Sequence, residues 1–254
     1  MTDAKGVAPS QGGPALAGWK LSLLAGIGGV LVGALGVSLY FNLRGGAGQA
    51  QTEAIVRNYI LEHGEILPEA VERMQRRQAR AAVLQNREAL ERPYRSAWAG
   101  AENGDVVMVQ FFDYACPYCH QINGDVERLL REDNRLKVVW REYPVLGPNS
   151  EAAAVASLAA AEQGRWRQFH ARMFALGRPT DAVRQQAIQE AGVTLPASPS
   201  EAMRTEVTRN AEMARAVGAT GTPTFVIGEQ VLQGAVGYEA LKAAIAEARA
   251  NRRS

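Results

Sequence analysis

The stretch Cys116-Pro117-Tyr118-Cys119-His120 holds both cysteines of a 254-residue chain. Two thiols three residues apart can cycle between dithiol and disulfide, or grip a soft metal such as Cu(I). With the following histidine, the string also has the C-x-x-C-H spacing of a covalent haem site. A structural zinc site needs four ligands, and only two cysteines and three histidines are available to supply them. One pair of cysteines cannot build a disulfide framework either, so the fold must rest on its apolar core, drawn from 47% hydrophobic residues. The pair is there for chemistry rather than scaffolding.

The surrounding pattern predicts how the thiols are held. Val106 to Phe112 is an unbroken run of strand formers, the mark of a strand buried on both faces, and it ends at Asp113. Ile122, Val126, Leu129 and Leu130 then recur at helical spacing, which places Pro117 in a first turn where its missing N–H costs nothing. Cys116 therefore falls at a helix N-terminus, where free N–H groups favour a thiolate. It is expected to be the exposed nucleophile, with Cys119 shielded one turn further in. Lys137 to Arg141 supplies a second strand and closes a β-α-β unit. A buried strand entering the motif speaks against haem, whereas the Cu(I) reading stays open beside the redox one.

Residues 149–217 read as an all-helical block, with Thr180 as an N-cap and Ser198-Pro-Ser-Glu201 as a capping box. Strand patterns return at Thr224–Ile227 and Gln230–Gln233, and an amphipathic helix follows from Tyr238 to about Ala248. Just before the late strand stands Gly221-Thr222-Pro223-Thr224, where the proline must form a tight turn, with a cis bond as one option.

The N-terminal quarter has a different character. Residues 1–20 are rich in Gly, Ala and Pro and read as a disordered cytoplasmic tail. Leu21 to Leu43 carries no charge in 23 positions and reads as a transmembrane helix, with a cleaved signal peptide as its rival. Residues 44–51, mostly GGAGQAQ, look like a flexible linker. Residues 52–95 form a charged helical arm broken at His63-Gly64; its apolar stripe over Thr52–Arg92 could pack on the core or join copies of the chain. A net charge of +2 gives no argument for a nucleic-acid partner.

Strand, C-P-x-C at a helix start, helical insertion and G-T-P-T-F-V together resemble the DsbA-type thiol:disulfide oxidoreductases of the thioredoxin superfamily. FFDYACPYCH, REYPVLGPNSEAA and GATGTPTFVIGEQVLQGAVGYEAL are similar to the ScsC-like bacterial branch, as is IVRNYILEHGEILPEAVERMQ in the arm. The resemblance implies a mixed α/β, thioredoxin-like domain over residues 96–254 with an inserted helical block. It makes Cys116 the attacking thiol and Cys119 the resolving thiol, with no cofactor beyond their disulfide and no metal. Pro117 and Tyr118 would set the redox poise. Pro223 becomes the cis-proline facing the thiols, with Thr222 offering backbone to a bound peptide. Asp113 and His120 are the residues that would tune the pair. Strongly oxidising members carry His where this chain has Tyr118, which argues against extreme oxidising strength. The implied partners are protein thiols and disulfides and a redox protein of the membrane. The expected location is the bacterial inner membrane, single-pass, with the catalytic domain in the periplasm. An oligomer built through the arm would act as an isomerase or reductase.

Overall fold

A computed structural model describes the backbone of residues 18–252; the side chains of 18–28, 30, 31 and 42–47 lie outside the described set, as do residues 1–17, 253 and 254 with the expected tail. Two compact units divide the chain, residues 1–68 and 69–254.

The first unit is dominated by one helix, α1, Gly18–Glu62. It runs without a break through 44–51, so the linker expected there is instead helical. Two local bonds tie the segment into the helix: Thr52 Oγ1 donates to the Gly48 carbonyl at 2.7 Å, and Gln49 Nε2 to Glu53 Oε1 at 3.0 Å. The membrane span expected at Leu21–Leu43 finds no support among the described residues. Part of it falls on side chains outside the described set, and among the described residues no helix is long and apolar enough to cross a membrane. The predicted break at His63-Gly64 is present, and α2, Ile66–Glu91, follows with Pro68 in its first turn.

The second unit carries a five-stranded sheet of order β1-β3-β2-β4-β5. In chain order these are β1 (Trp98–Gly100), β2 (Val106–Phe112), β3 (Leu136–Glu142), β4 (Thr224–Ile227) and β5 (Gln230–Gln233). β2 and β3 are parallel and joined by α3, Pro117–Glu132, whereas the other pairs are antiparallel. Four helices form the insertion: α4 (Pro148–Glu162), α5 (Trp166–Leu176), α6 (Asp181–Ala191) and α7 (Glu201–Ala216). The last helix, α8, is Tyr238–Asn251. Thr180 caps α6 as predicted, but the cap of α7 is Ser200, whose hydroxyl accepts from Met203 N–H, and not Ser198.

Alternation along β2 and β3 sends their side chains to two cores. Met108, Phe112, Val138 and Trp140 pack with α3, α8 and the insertion. Val109, Phe111 and Val139 pack on the other face with Val83 and Leu90 of α2 and with Met213 and Val217. Burying Val83 and Leu90 contributes about 1.5–3 kcal/mol each, which holds the C-terminal half of α2 to the sheet.

Arg141 reinforces that contact. Its guanidinium, 2% exposed, donates to the carbonyls of Ala89, Leu90 and Arg92 at the end of α2, and to Glu206 Oε1 and Asn210 Oδ1 of α7. These carbonyls are among those a helix terminus leaves unpaired. Further out on α2 the stripe is bare, with Val71 and Met74 exposed. Phe112 pairs with Glu142 and Phe111 with Thr224, so the ends of β2 and β3 and the start of β4 meet at one pole of the sheet.

Candidate active site

At that pole the chain leaves β2 through a turn that Asp113 organises. Its carboxylate, 1% exposed, accepts from Ala115 N–H at 2.8 Å through Oδ1. Through Oδ2 it accepts from Val145 and Leu146 N–H at 2.9 and 3.1 Å. Asp113 thus binds the loop after β3 to the thiol loop, and all three of these bonds go to backbone. Val145 and Leu146 remain exposed beside it.

Cys116 is the N-cap of α3 with extended backbone, and Pro117 opens the helix as the sequence predicts. The Cys116 carbonyl accepts from Cys119 and His120 N–H at 3.1 and 3.2 Å. One expectation needs correcting: Cys116 is not exposed. It is 4% accessible, and its Sγ donates to the Thr222 carbonyl at 3.1 Å. Of the loop, Pro117 and Tyr118 face solvent. Thr222-Pro223 is a cis peptide, and Pro223 is buried. Cys119 is fully buried, and both cysteines are free thiols. Burial pushes the Cys119 thiol well above its ordinary range, and neighbouring Cys116 opposes a charge there too. The arrangement is asymmetric: one sulfur at the mouth under a carbonyl, the other sealed behind it as a protonated thiol.

His120 is a staple. Its Nε2 donates to the Tyr114 carbonyl at 2.8 Å, and its ring lies 4.7 Å from Phe174. Neither Asp113 nor His120 has a side-chain hydrogen bond to a cysteine in the structure. Among the described residues, no group of three or more His, Cys, Asp or Glu is placed to hold a metal.

Sequence reasoning missed the polar cluster beneath the site. Tyr114 OH lies 3.1 Å from both Ser157 Oγ and His170 Nδ1, and Trp166 Nε1 donates to Ser157 Oγ at 2.9 Å. His170 stacks on Trp166 at 4.2 Å between centroids. Glu142, 3% exposed at the end of β3, completes the group. Burial raises its carboxyl well above the ordinary value near 4.5, and the charge of Asp113 adds to this. Burial likewise holds the His170 imidazole well below its ordinary value of 6.5, so the ring is neutral. The only sequence signal was an Arg-Glu pair closing an apolar strand.

Both groups tie stability to pH, in opposite senses. The folded chain keeps a proton on Glu142 that the unfolded chain releases above about pH 4.5, so stability falls as pH rises from there, by up to about 1.4 kcal/mol per unit. His170 costs stability only as pH falls below about 6.5, where the unfolded chain takes up a proton. Glu142→Gln should therefore flatten the decline above pH 6.5. Melting temperatures at pH 6.5 and 9 check this: equal declines in parent and variant would refute it.

Comparison with known proteins agrees with this geometry. The family model for a DSBA-like thioredoxin domain matches residues 107–246. The chain belongs to the DsbA-like thioredoxin family. A second model, described as the copper resistance protein ScsC N-terminal domain, matches residues 49–81, so a DsbA-like domain here follows an ScsC-type arm. Among solved structures, a periplasmic thioredoxin-like protein from Salmonella enterica serovar Typhimurium is 30% identical at a TM-score of 0.60, covering 64% of this chain and 94% of that one. A linker-deletion mutant of Proteus mirabilis ScsC is 25% identical at a TM-score of 0.69, covering 80% and 95%. A curated relative, the Na(+)/H(+) antiporter NhaA 3 of Salinispora tropica, is 30% identical over 168 residues, 63% of this chain and 26% of that protein. This DsbA-like chain thus spans about a quarter of the length of that curated relative.

Proposed function

We propose that the chain is a membrane-tethered periplasmic enzyme that exchanges disulfides with protein thiols, with Cys116 attacking and Cys119 resolving. The observation that carries this is the placement of Cys116 Sγ at the start of α3, 3.1 Å from the Thr222 carbonyl, with Cys119 sealed behind it. A substrate thiolate attacks Cys116 Sγ of the oxidised pair, and Cys119 leaves as a thiolate that takes up a proton. A second substrate thiolate then attacks the substrate sulfur of the mixed disulfide. Cys116 departs, and two electrons have passed from substrate to enzyme. A membrane redox protein returns the pair to the disulfide, and the reverse sequence reduces or isomerises. Exposed Tyr118, Val145 and Leu146 give the mouth an apolar rim suited to unfolded segments.

The periplasmic reading is supported by the Salmonella relative and by the oxidising compartment that disulfide exchange needs. The tether is supported by the uncharged run from Leu21 to Leu43. Ile55, Val56, Tyr59 and Leu61, all at least half exposed on α1, favour self-association of the arm and with it an isomerase or reductase role.

The test is a trap. Cys119→Ser leaves a mixed disulfide without its resolving thiol. Expressed in bacteria, it should accumulate as reducible adducts with exported proteins, recovered in the membrane fraction. Adducts confined to cytoplasmic proteins, or no adducts at all, would sink the proposal.

A further inference from the structure

Gln233 closes β5 on the edge of the sheet, directly opposite Thr224 in register, and is an exposed residue. Such a side chain ordinarily bonds to water. Here every hydrogen bond it makes goes to the segment 218–224. Oε1 accepts from Thr220 N–H and Thr220 Oγ1, both at 3.3 Å, and from Thr224 Oγ1 at 2.9 Å. Nε2 donates to the Gly218 carbonyl at 2.9 Å. The next backbone group, Gly234 N–H, donates to the Pro223 carbonyl at 2.8 Å. Thr222 is thus suspended between points fixed on either side, and its carbonyl is the one that covers Cys116 Sγ at 3.1 Å.

We infer that Gln233 is a positioning residue for disulfide exchange, holding the Thr222 carbonyl over Cys116 and its backbone in place for the substrate. The inference rests on the reading of Cys116 as the attacking thiol. An amide is what the position requires, because the contacts need an acceptor toward Thr220 and Thr224 and a donor toward Gly218. Methionine offers neither at similar length, and glutamate only the acceptor. Sulfur chemistry is untouched by either change; what changes is how firmly the carbonyl sits and how well a peptide strand finds its backbone partner.

The experiment uses the full chain with Gln233→Met and Gln233→Glu. Oxidative refolding of a reduced, denatured substrate gives kcat and KM, and mass spectrometry gives the rate at which iodoacetamide alkylates Cys116 in the reduced enzyme. Gln233→Met should lower kcat/KM about fivefold, carried by KM. It should also raise the alkylation rate of Cys116 several-fold while Cys119 stays unmodified. Gln233→Glu should fall between variant and parent in both. Parent values for KM and for alkylation in Gln233→Met overturn the inference, and so does alkylation of Cys119 alongside Cys116, which would mean general loosening. Should Gln233→Met not fold, parent values in Gln233→Glu have the same force. Alkylation reports the cover over Cys116 even if that thiol were not the attacking one, so a failed mechanism and a failed positioning role give different results.

Discussion

Replacing Cys116 by serine is expected to lower the refolding of reduced, denatured substrate at least about a thousandfold. A hydroxyl forms no disulfide, and the second thiol cannot take over. Cys119 is fully buried and its thiol is held protonated by that burial, so it offers a substrate neither access nor a thiolate. The fold should tolerate the change, since serine keeps the shape of a 4%-exposed cap residue and can still donate to the Thr222 carbonyl. A Cys116→Ser protein that melts like the parent and retains more than about a hundredth of its activity would disprove the assigned roles.

Arg141→Met should be the most destabilising of the substitutions considered. Burial pulls this guanidinium down to about 10 while Glu206 opposes the shift, so it remains a cation at neutral pH. Removing it strands the Glu206 carboxylate and the Asn210 amide of α7, together with the carbonyls of Ala89, Leu90 and Arg92 at the end of α2. Breaking a buried pair in this way typically costs about 3–5 kcal/mol, which for a domain of this size is a fall in melting temperature of about 10 °C. Adding Glu206→Leu should recover part of the loss by removing the stranded charge. Calorimetry on the two variants decides: a loss below about 1 kcal/mol in Arg141→Met would show the guanidinium to be dispensable.

The parts of the site fixed by local pattern were readable in the sequence. The apolar run into Asp113, the proline one residue after Cys116 and the periodic helix beyond it put the thiols at a helix start, and the isolated T-P turn marked the opposing loop. What escaped depends on contacts between distant segments. The carbonyl of Thr222 over Cys116 joins residues 106 positions apart, and no local signal announces that the mouth thiol is covered. The buried carboxyl of Glu142 and the neutral ring of His170 look like ordinary surface residues until the insertion folds over them. Strand β1 is three residues long and exists through its pairing with β3, too short to show a period. The glycines of 44–51 read as a hinge because the sequence alone undervalues how a helix on both sides carries a weak segment through.

The burial of Cys119 has a kinetic corollary. With one sulfur at one opening, a thiol substrate and whatever reoxidises the pair must use the same doorway in turn. The two half-reactions cannot overlap, and turnover takes a ping-pong form in which each partner at high concentration excludes the other.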